Sequence, residues 1–207
     1  MNNTDSATTQ QLILLKAREL FLTLGYHKTS MRNIALAANI STGPLYFHFQ
    51  NKAEIFFHIC CQAYEHQLAG FRLAAAQNSS AGLRLRSVFY AYWNFFHSEP
   101  QYFEILHLAA NPMAGIDLPL PLQQALQEKQ AESIFILEQI IQEGITAGEL
   151  KAYDPRALAL FLHASAEGIV RSQQTGVLAN CQRDLDAVIQ TAVGVIGVGM
   201  VNLTEHD

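Results

Sequence analysis

Apolar residues recur at helical spacing along almost the whole chain, and no convincing alternation of apolar and polar positions predicts a β-strand. The first helix follows a start signal at Thr8 and Thr9 and stops at Gly25. Its apolar residues recur at helical spacing, at Ile13, Ala17, Leu20, Phe21 and Leu24. The pattern therefore predicts an all-α protein.

Two short helices separated by a tight turn follow. Thr29 or Ser30 can cap a helix that runs to about Ala38. Asn39 then occupies a turn position that needs a left-handed residue, and Ser41 can cap the next helix. Together with the first helix, these elements predict a helix-turn-helix domain.

The third helix has an unusual composition, with Gly43 and Pro44 in its first turn and aromatic residues after them. Gly43 leaves the N–H groups of that turn open to a phosphate oxygen, and Pro44 costs little where the N–H has no intrahelical partner. Leu45 and Phe49 are four residues apart and are expected to face the core, while Tyr46 faces outward.

Longer helices are predicted for the rest of the chain. We assign residues 1–51 to the helix-turn-helix domain and residues 52–207 to a larger helical domain. The longer helices are expected at about 52–77, 83–98, 101–110, 122–147, 155–174 and 184–203. Pro112, Pro119 and Pro121 are expected to prevent a helix in the connection between residues 111 and 121.

The segment 29–56 resembles the DNA-binding signature of tetracycline-repressor-type (TetR/AcrR) transcriptional regulators. The preceding stretch also matches that family, at Ala17, Leu20, Phe21, Gly25 and Tyr26. Asn39 replaces the usual turn glycine, Thr42 stands where many members have lysine, and Pro44 replaces a residue that often reads bases. The resemblance implies an N-terminal helix-turn-helix domain joined to a larger C-terminal ligand-binding and dimerisation domain.

The resemblance also implies roles for individual residues. Phosphate contacts are expected from Thr29, Ser30, Tyr46, His48 and Lys52, with Gly43 opening the helix start. Base edges are expected to meet Arg32, which can fork onto a guanine, and Thr42 and Pro44, which offer methyl-type contact to thymine. The alternative is that Tyr46 and His48 are merely packed and Arg32 is a solvated charge.

Composition and charge narrow the classes further. Half of the residues are apolar and only 15% are charged, so the chain can bury a substantial core. Residues 1–55 carry +2 of a total charge of −5, which suggests that only this end meets a polyanion. The N-terminus lacks the pattern of a signal peptide, so we predict a cytoplasmic protein. The three cysteines and eight histidines show no spacing typical of metal ligands, and no metal or cofactor is predicted.

Eight aromatic residues lie within the fifteen positions from Phe89 to Phe103. They are consistent either with an aromatic core or with a ligand cavity closed by the proline-rich connection. The resemblance favours the cavity, with ligand contacts from Phe89, Tyr92, Trp93, Phe96, Phe103, His107 and Met113.

The last helix carries Gly194, Gly197 and Gly199, which are unfavourable in a helix interior unless a close approach compensates. Its apolar run is too short to span a membrane, so packing against a second copy is favoured. The resemblance implies a four-helix dimer interface, for which we expect Leu158, Leu162, Ser165, Ile169, Ile189, Val193, Gly197 and Met200.

The leading hypothesis is a homodimeric repressor that a small apolar or aromatic molecule releases from a palindromic operator. The alternative is a helical small-molecule or protein binding module that has lost specific operator recognition, which Thr42 and Pro44 would support. An enzyme is not predicted, because no nucleophile motif, phosphate-cradling glycine loop or carboxylate pair is present.

Overall fold

The structure is a computed structural model and describes residues 3–202, with side chains from residue 7 onward. Within that range the fold consists of α-helices with one short 3-10 helix and no β-strand, which confirms the all-α prediction. The helices are α1 (Asn3–Thr23), α2 (Met31–Ala37), α3 (Thr42–His48), α4 (Lys52–Ala75), α5 (Ala81–Ser98), α6 (Pro100–Ala110), α7 (Leu120–Thr146), α8 (Pro155–Gln174), α9 (Val177–Asn180) and α10 (Leu185–Met200).

The connection between α6 and α7 is shorter than predicted. It contains the 3-10 helix Pro112–Ala114, and α7 begins at Leu120 with Pro121 in its first turn. The expectation that Pro121 prevents a helix was therefore wrong, since the N–H that proline lacks has no intrahelical partner at that position.

Two other helix ends differ from the sequence expectation. α1 begins at Asn3, ahead of the start signal at Thr8 and Thr9. α10 ends at Met200, and the predicted end at Leu203 lies outside the described residues. The four-residue helix α9 was not predicted, because it spans little more than one turn.

Packing divides the chain into two compact units. Unit 1 comprises Met1–His66 with Glu99–Lys129, and unit 2 comprises Gln67–Ser98 with Gln130–Asp207. The core of unit 1 includes the fully buried side chains of Ile13, Phe21, Ile34, Leu45, Phe49, Phe56 and Ile105. The rings of Phe21, Tyr26 and Phe56 meet with centroids 5.3 to 5.5 Å apart, which joins the end of α1 to α4.

Unit 2 contains the closest helix approach that depends on a glycine. A Cβ atom on Gly144 would lie 2.5 Å from the Cβ of Ala81 and 2.8 Å from a methyl group of Leu150, so only glycine allows α7 to pass the start of α5 at this distance. The end of α10 is held by the N–H of Lys151, which donates to the carbonyl of Met200 at 2.9 Å. Because Leu150 and Lys151 are adjacent, the end of α7, the start of α5 and the end of α10 meet at one end of unit 2.

Candidate functional site

Local hydrogen bonds build the turn between α2 and α3. Ser30 and Asn33 form a reciprocal capping box, in which the N–H of Asn33 donates to the Ser30 hydroxyl at 3.2 Å and the N–H of Ser30 donates to the Asn33 side chain at 3.1 Å. Asn39 has φ 54°, as predicted for the turn. Ser41 precedes α3, but its side chain makes no cap bond, so its predicted capping role was wrong.

Helix α3 has one buried side and one exposed side. Leu45 and Phe49 are 0% and 1% exposed, which confirms their inward orientation. Thr42, Gly43 and Pro44 in the first turn are all exposed. Further exposed surface comes from Tyr46, at 55%, and Phe47, at 80%. The first turn and these two rings therefore form an accessible surface, which we call the α3 face.

Phe47 is the member of the α3 face that the sequence reasoning missed. It lies midway between the two inward positions, 45 and 49, so helical geometry alone places it on the opposite side. Its ring stays close to that of His48, with centroids 5.2 Å apart. Together with Tyr46, Phe47 places two exposed rings next to each other on this helix.

The remaining predicted DNA-contacting residues differ in accessibility. Ser30 and Arg32 are exposed, and His48 is half-buried. Thr29 is only 1% exposed, and its hydroxyl donates to the carbonyl of Gly25 at 2.9 Å. The Thr29 side chain therefore supports the loop before α2, and a phosphate contact through its hydroxyl would break that bond.

Lys52 also has partners inside the protein. Its Nζ donates to the carbonyl oxygens of Tyr26 at 2.7 Å, Thr29 at 3.0 Å and His27 at 3.3 Å, and lies 4.4 Å from the centroid of the Tyr26 ring. Burial lowers the pKa of Lys52. The ammonium group thus ties the first turn of α4 to the loop between α1 and α2. The phosphate contact predicted for it would require at least one of these bonds to break.

Unit 2 encloses a cavity of about 340 Å³. The floor is apolar and buried, formed by Phe71 of α4, Leu85, Val88 and Tyr92 of α5, and Ala166 of α8. α10 closes one side with Ala192, Val193, Ile196, Gly197 and Met200. The mouth carries exposed side chains, among them Leu83, Arg86 and Val201. The volume lies at the lower end of the range typical of small-molecule sites.

Two nitrogen-bearing side chains line this cavity. Arg86 lies at the mouth, and His163 of α8 lies deeper, with its Nδ1 3.9 Å from a carboxylate oxygen of Glu167. Burial lowers the pKa of His163, and the nearby Glu167 carboxylate opposes part of that effect. The imidazole is therefore held largely neutral near pH 7, and the interior of the cavity carries little charge.

The predicted ligand-binding residues are not gathered around this cavity. Phe89 and Tyr92 line it. Trp93 and Phe96, on the same helix, pack instead against the cluster of Leu178, Leu185 and Ile189 in unit 2. The other three predicted residues belong to unit 1, where the rings of Phe103 and His107 meet at a tilt of 50° and Met113 is 91% exposed. Phe71 and His163 were missed because nothing local in the sequence marks them.

The segment that contains the α3 face is similar to a known family of regulators. The family profile described as "Bacterial regulatory proteins, tetR family" matches residues 13–59, which cover most of α1, the whole helix-turn-helix and the start of α4. Residues 13–59 therefore carry the DNA-binding domain that the tetR family shares. Regulators of this family bind DNA operators and typically act as dimers.

Curated proteins similar to this chain include activators and repressors. FasR of Mycolicibacterium smegmatis, a transcriptional activator, is 29% identical over 94 residues, which are 45% of this chain and 43% of FasR. BepR of Brucella suis, a repressor, is 37% identical over 59 residues and 28% of either chain. The chain thus spans less than half of the length of these two relatives. The Escherichia coli protein named "Probable acrEF/envCD operon repressor" is 25% identical over 98% of this chain and 81% of its own.

Solved structures show the same fold over nearly the full length. A tetR-family regulatory protein from Rhodococcus RHA1 has a TM-score of 0.75 at 21% identity, covering 95% of this chain and 98% of its own. The ketosteroid regulator KstR2 of Mycobacterium tuberculosis has a TM-score of 0.70 at 19% identity, covering 98% of each chain. At these identities the likeness shows the fold.

Five of the eight residues predicted for the dimer interface are buried in unit 2 or line its cavity. Ile189 and Met200 are 2% and 7% exposed, and Leu162, Val193 and Gly197 line the cavity. α8 and α10 instead expose a different apolar set, shifted along each helix by one to three positions. This set, which we call the α8/α10 face, comprises Leu160, Phe161, Val195 and Val198 with Gly168 and Gly194 beside them.

Residues 3–202 contain neither a cluster of potential metal ligands nor a helix of membrane-spanning character. No group of three or more histidine, cysteine, aspartate or glutamate side chains in this range could hold a metal ion. No helix there is both long and apolar enough to cross a membrane. Cys60, Cys61 and Cys181 are free thiols, and burial raises the pKa of Cys60 well above its usual range.

Proposed function

We propose that this protein is a homodimeric repressor that binds a palindromic operator and is released by a small apolar or aromatic molecule. The observation that carries the proposal is the α3 face, an accessible surface on a helix whose buried side is locked into the core by Leu45 and Phe49. A rigid helix with an exposed polar and aromatic side suits insertion into the major groove.

The proposed DNA contacts divide into base reading and phosphate binding. Arg32, Thr42 and Pro44 meet base edges, and Phe47 adds apolar contact to a thymine methyl group. Phosphates are met by Ser30, Gly43, Tyr46 and His48. The phosphate roles implied for Thr29 and Lys52 compete with their bonds inside unit 1. In this proposal residues 1–51 bind the operator, and residues 52–207 bind the effector and the second copy of the chain. This functional division differs from the two packing units, because unit 1 also includes Glu99–Lys129.

The effector site in this proposal is the cavity of unit 2, with Phe89 and Tyr92 among the walls. An apolar effector is supported by the buried floor and by the weakly charged interior. Two proteins of the same fold are named for apolar compounds, the ketosteroid regulator KstR2 and the fatty acid degradation regulator FadR from Bacillus halodurans. Release of DNA requires that the effector bind the released state more tightly than the DNA-bound state.

The dimer in this proposal forms through the α8/α10 face. Its phenylalanine and valine side chains are more than half exposed in the single chain, so burial against a second copy removes apolar surface from water. Gly168 and Gly194 have open space where a Cβ would lie, which lets a partner backbone approach closely. A two-fold dimer then presents two α3 faces to a two-fold operator.

Selection of bound DNA from a random pool tests the proposal. The parent should enrich a palindrome, and Arg32→Ala should relax the preference at one position of each half-site. Failure to enrich any sequence would contradict operator recognition and favour the binding-module alternative. Molecules that co-purify with the protein should release the selected DNA, and Ala192→Phe, which fills the cavity, should retain DNA binding but lose release. Equal release from parent and Ala192→Phe would place the effector elsewhere.

A further inference from the structure

The mouth of the unit 2 cavity carries a permanent cation. Arg86 is exposed there, and no described residue forms an ion pair with it. Arg84, two positions earlier on α5, differs in this respect, since its guanidinium lies 2.6 Å from a carboxylate oxygen of Glu143. Among the described residues that line the cavity there is no aspartate or glutamate. The lining therefore offers an apolar interior with a positive charge at its entrance.

We infer that the cavity binds a carboxylate with an apolar chain, whose chain occupies the interior and whose carboxylate meets Arg86 at the mouth. The inference rests on the proposed effector role of this cavity and names the class of effector. The planar guanidinium fork matches a carboxylate in a two-bond geometry, whereas a neutral alcohol would leave the fork hydrated and gain little from it.

The interior determines which end of such a molecule enters. Phe71, Leu137 and Val88 are each at most 5% exposed, so the deep end offers contact to methylene groups and no compensation for a charge. The polar side chains of this interior are Tyr92 and His163, and the carboxylate of Glu167 beside His163 would repel an acid that entered head first. The chain must therefore enter first, with the carboxylate remaining in water beside Arg86.

The size of the cavity limits the chain. A volume of about 340 Å³ is small for a ligand site, so it suits a medium-length chain better than a long one. Each methylene group buried adds roughly 0.8 kcal/mol, or about a fourfold gain in affinity, until the interior is full. Affinity should therefore rise with chain length and then level off.

Calorimetric titration with decanoate and decan-1-ol tests the inference, because the two share a chain and differ in the charge of the head. The parent should bind decanoate up to about fivefold more tightly than the alcohol, since an exposed ion pair contributes at most about 1 kcal/mol. Arg86→Gln should lose that advantage and leave alcohol binding within about twofold of the parent. Arg86→Lys should restore part of it, and Arg183→Gln, which changes an exposed arginine of unit 2 outside the cavity lining, should have no effect.

Three results would overturn the inference: no binding of decanoate by the parent, equal binding of acid and alcohol, or unchanged decanoate binding by Arg86→Gln with native circular dichroism. Release of the selected operator is measured separately with the same probes. Binding that depends on Arg86 without any release would leave the ligand class in place and contradict the proposed effector role. If neutral molecules release the operator equally well from the parent and from Arg86→Gln, the proposed effector role stands and the inferred ligand class is contradicted.

Discussion

Replacement of Lys52 by methionine separates two roles for this side chain, a phosphate contact and an internal tie. Methionine keeps an unbranched apolar stem of similar length and removes only the ammonium group. In the structure that group donates to three carbonyl oxygens in the loop between α1 and α2, at 2.7, 3.0 and 3.3 Å. We expect the tie to dominate, so that Lys52→Met lowers stability more than it changes DNA affinity.

The size of the effect follows from these contacts. Hydrogen bonds to charged groups contribute roughly 1.5 to 3 kcal/mol, and the two shorter bonds should account for most of the total. Two effects reduce the sum, because water can reach the half-buried carbonyls in the variant and burial already lowers the pKa of Lys52. We therefore expect the free energy of unfolding to fall by about 2 kcal/mol.

The assay is urea denaturation at fixed protein concentration, with Lys28→Met as the matched control. Lys28 is an exposed lysine of the same loop, so its loss should change stability by less than about 0.5 kcal/mol. The salt dependence of DNA binding provides the second measurement. A phosphate contact by Lys52 would reduce the slope of log K against log salt by about one with stability unchanged, and that result would refute the internal tie.

Three further predictions concern the other surfaces. Phe47→Ala should weaken binding to the selected operator about tenfold, through the loss of roughly 1 to 2 kcal/mol of apolar contact. Leu73→Ala, which changes a similarly exposed residue of unit 2, should leave operator affinity unchanged. If Phe47→Ala binds the operator as tightly as the parent, Phe47 is not part of the interface. Phe161→Glu should sediment as a monomer, whereas Phe135→Glu, which changes a residue that is also 55% exposed, should remain a dimer. A dimeric Phe161→Glu would exclude the α8/α10 face as the dimer interface. Burial lowers the pKa of His163 below its ordinary value of 6.5, so the unfolded chain binds the proton more readily and the free energy of unfolding should fall as pH drops below 6.5. In a denaturation series from pH 7 to about 5, His163→Gln should reduce this dependence on pH. An equal dependence in parent and variant would contradict the buried neutral imidazole.

The sequence by itself determined the elements whose signals are local. The sequence predicted a cap at Thr29 or Ser30, of which Ser30 is the one observed, and it also predicted the left-handed Asn39 and the inward pair of Leu45 and Phe49. Caps, turn conformation and helical period depend on residues within a few positions of one another. The same locality made the helix-turn-helix recognisable as a family signature. Phe47 could have been found by the same helical period, had the face opposite the inward pair been considered.

Only the tertiary structure decided where the long helices face. Several helices of unit 2 are apolar on more than one side, so the sequence could not tell the wall of the cavity from the α8/α10 face, and the predicted interface included Ile189 and Met200, which are buried. The partners of Lys52 lie 23 to 26 residues away in the chain, and Phe71 and His163 meet the same cavity from α4 and α8. Such contacts depend on how helices pack around a common core, and no periodicity within one helix records which of its apolar sides a distant helix will cover.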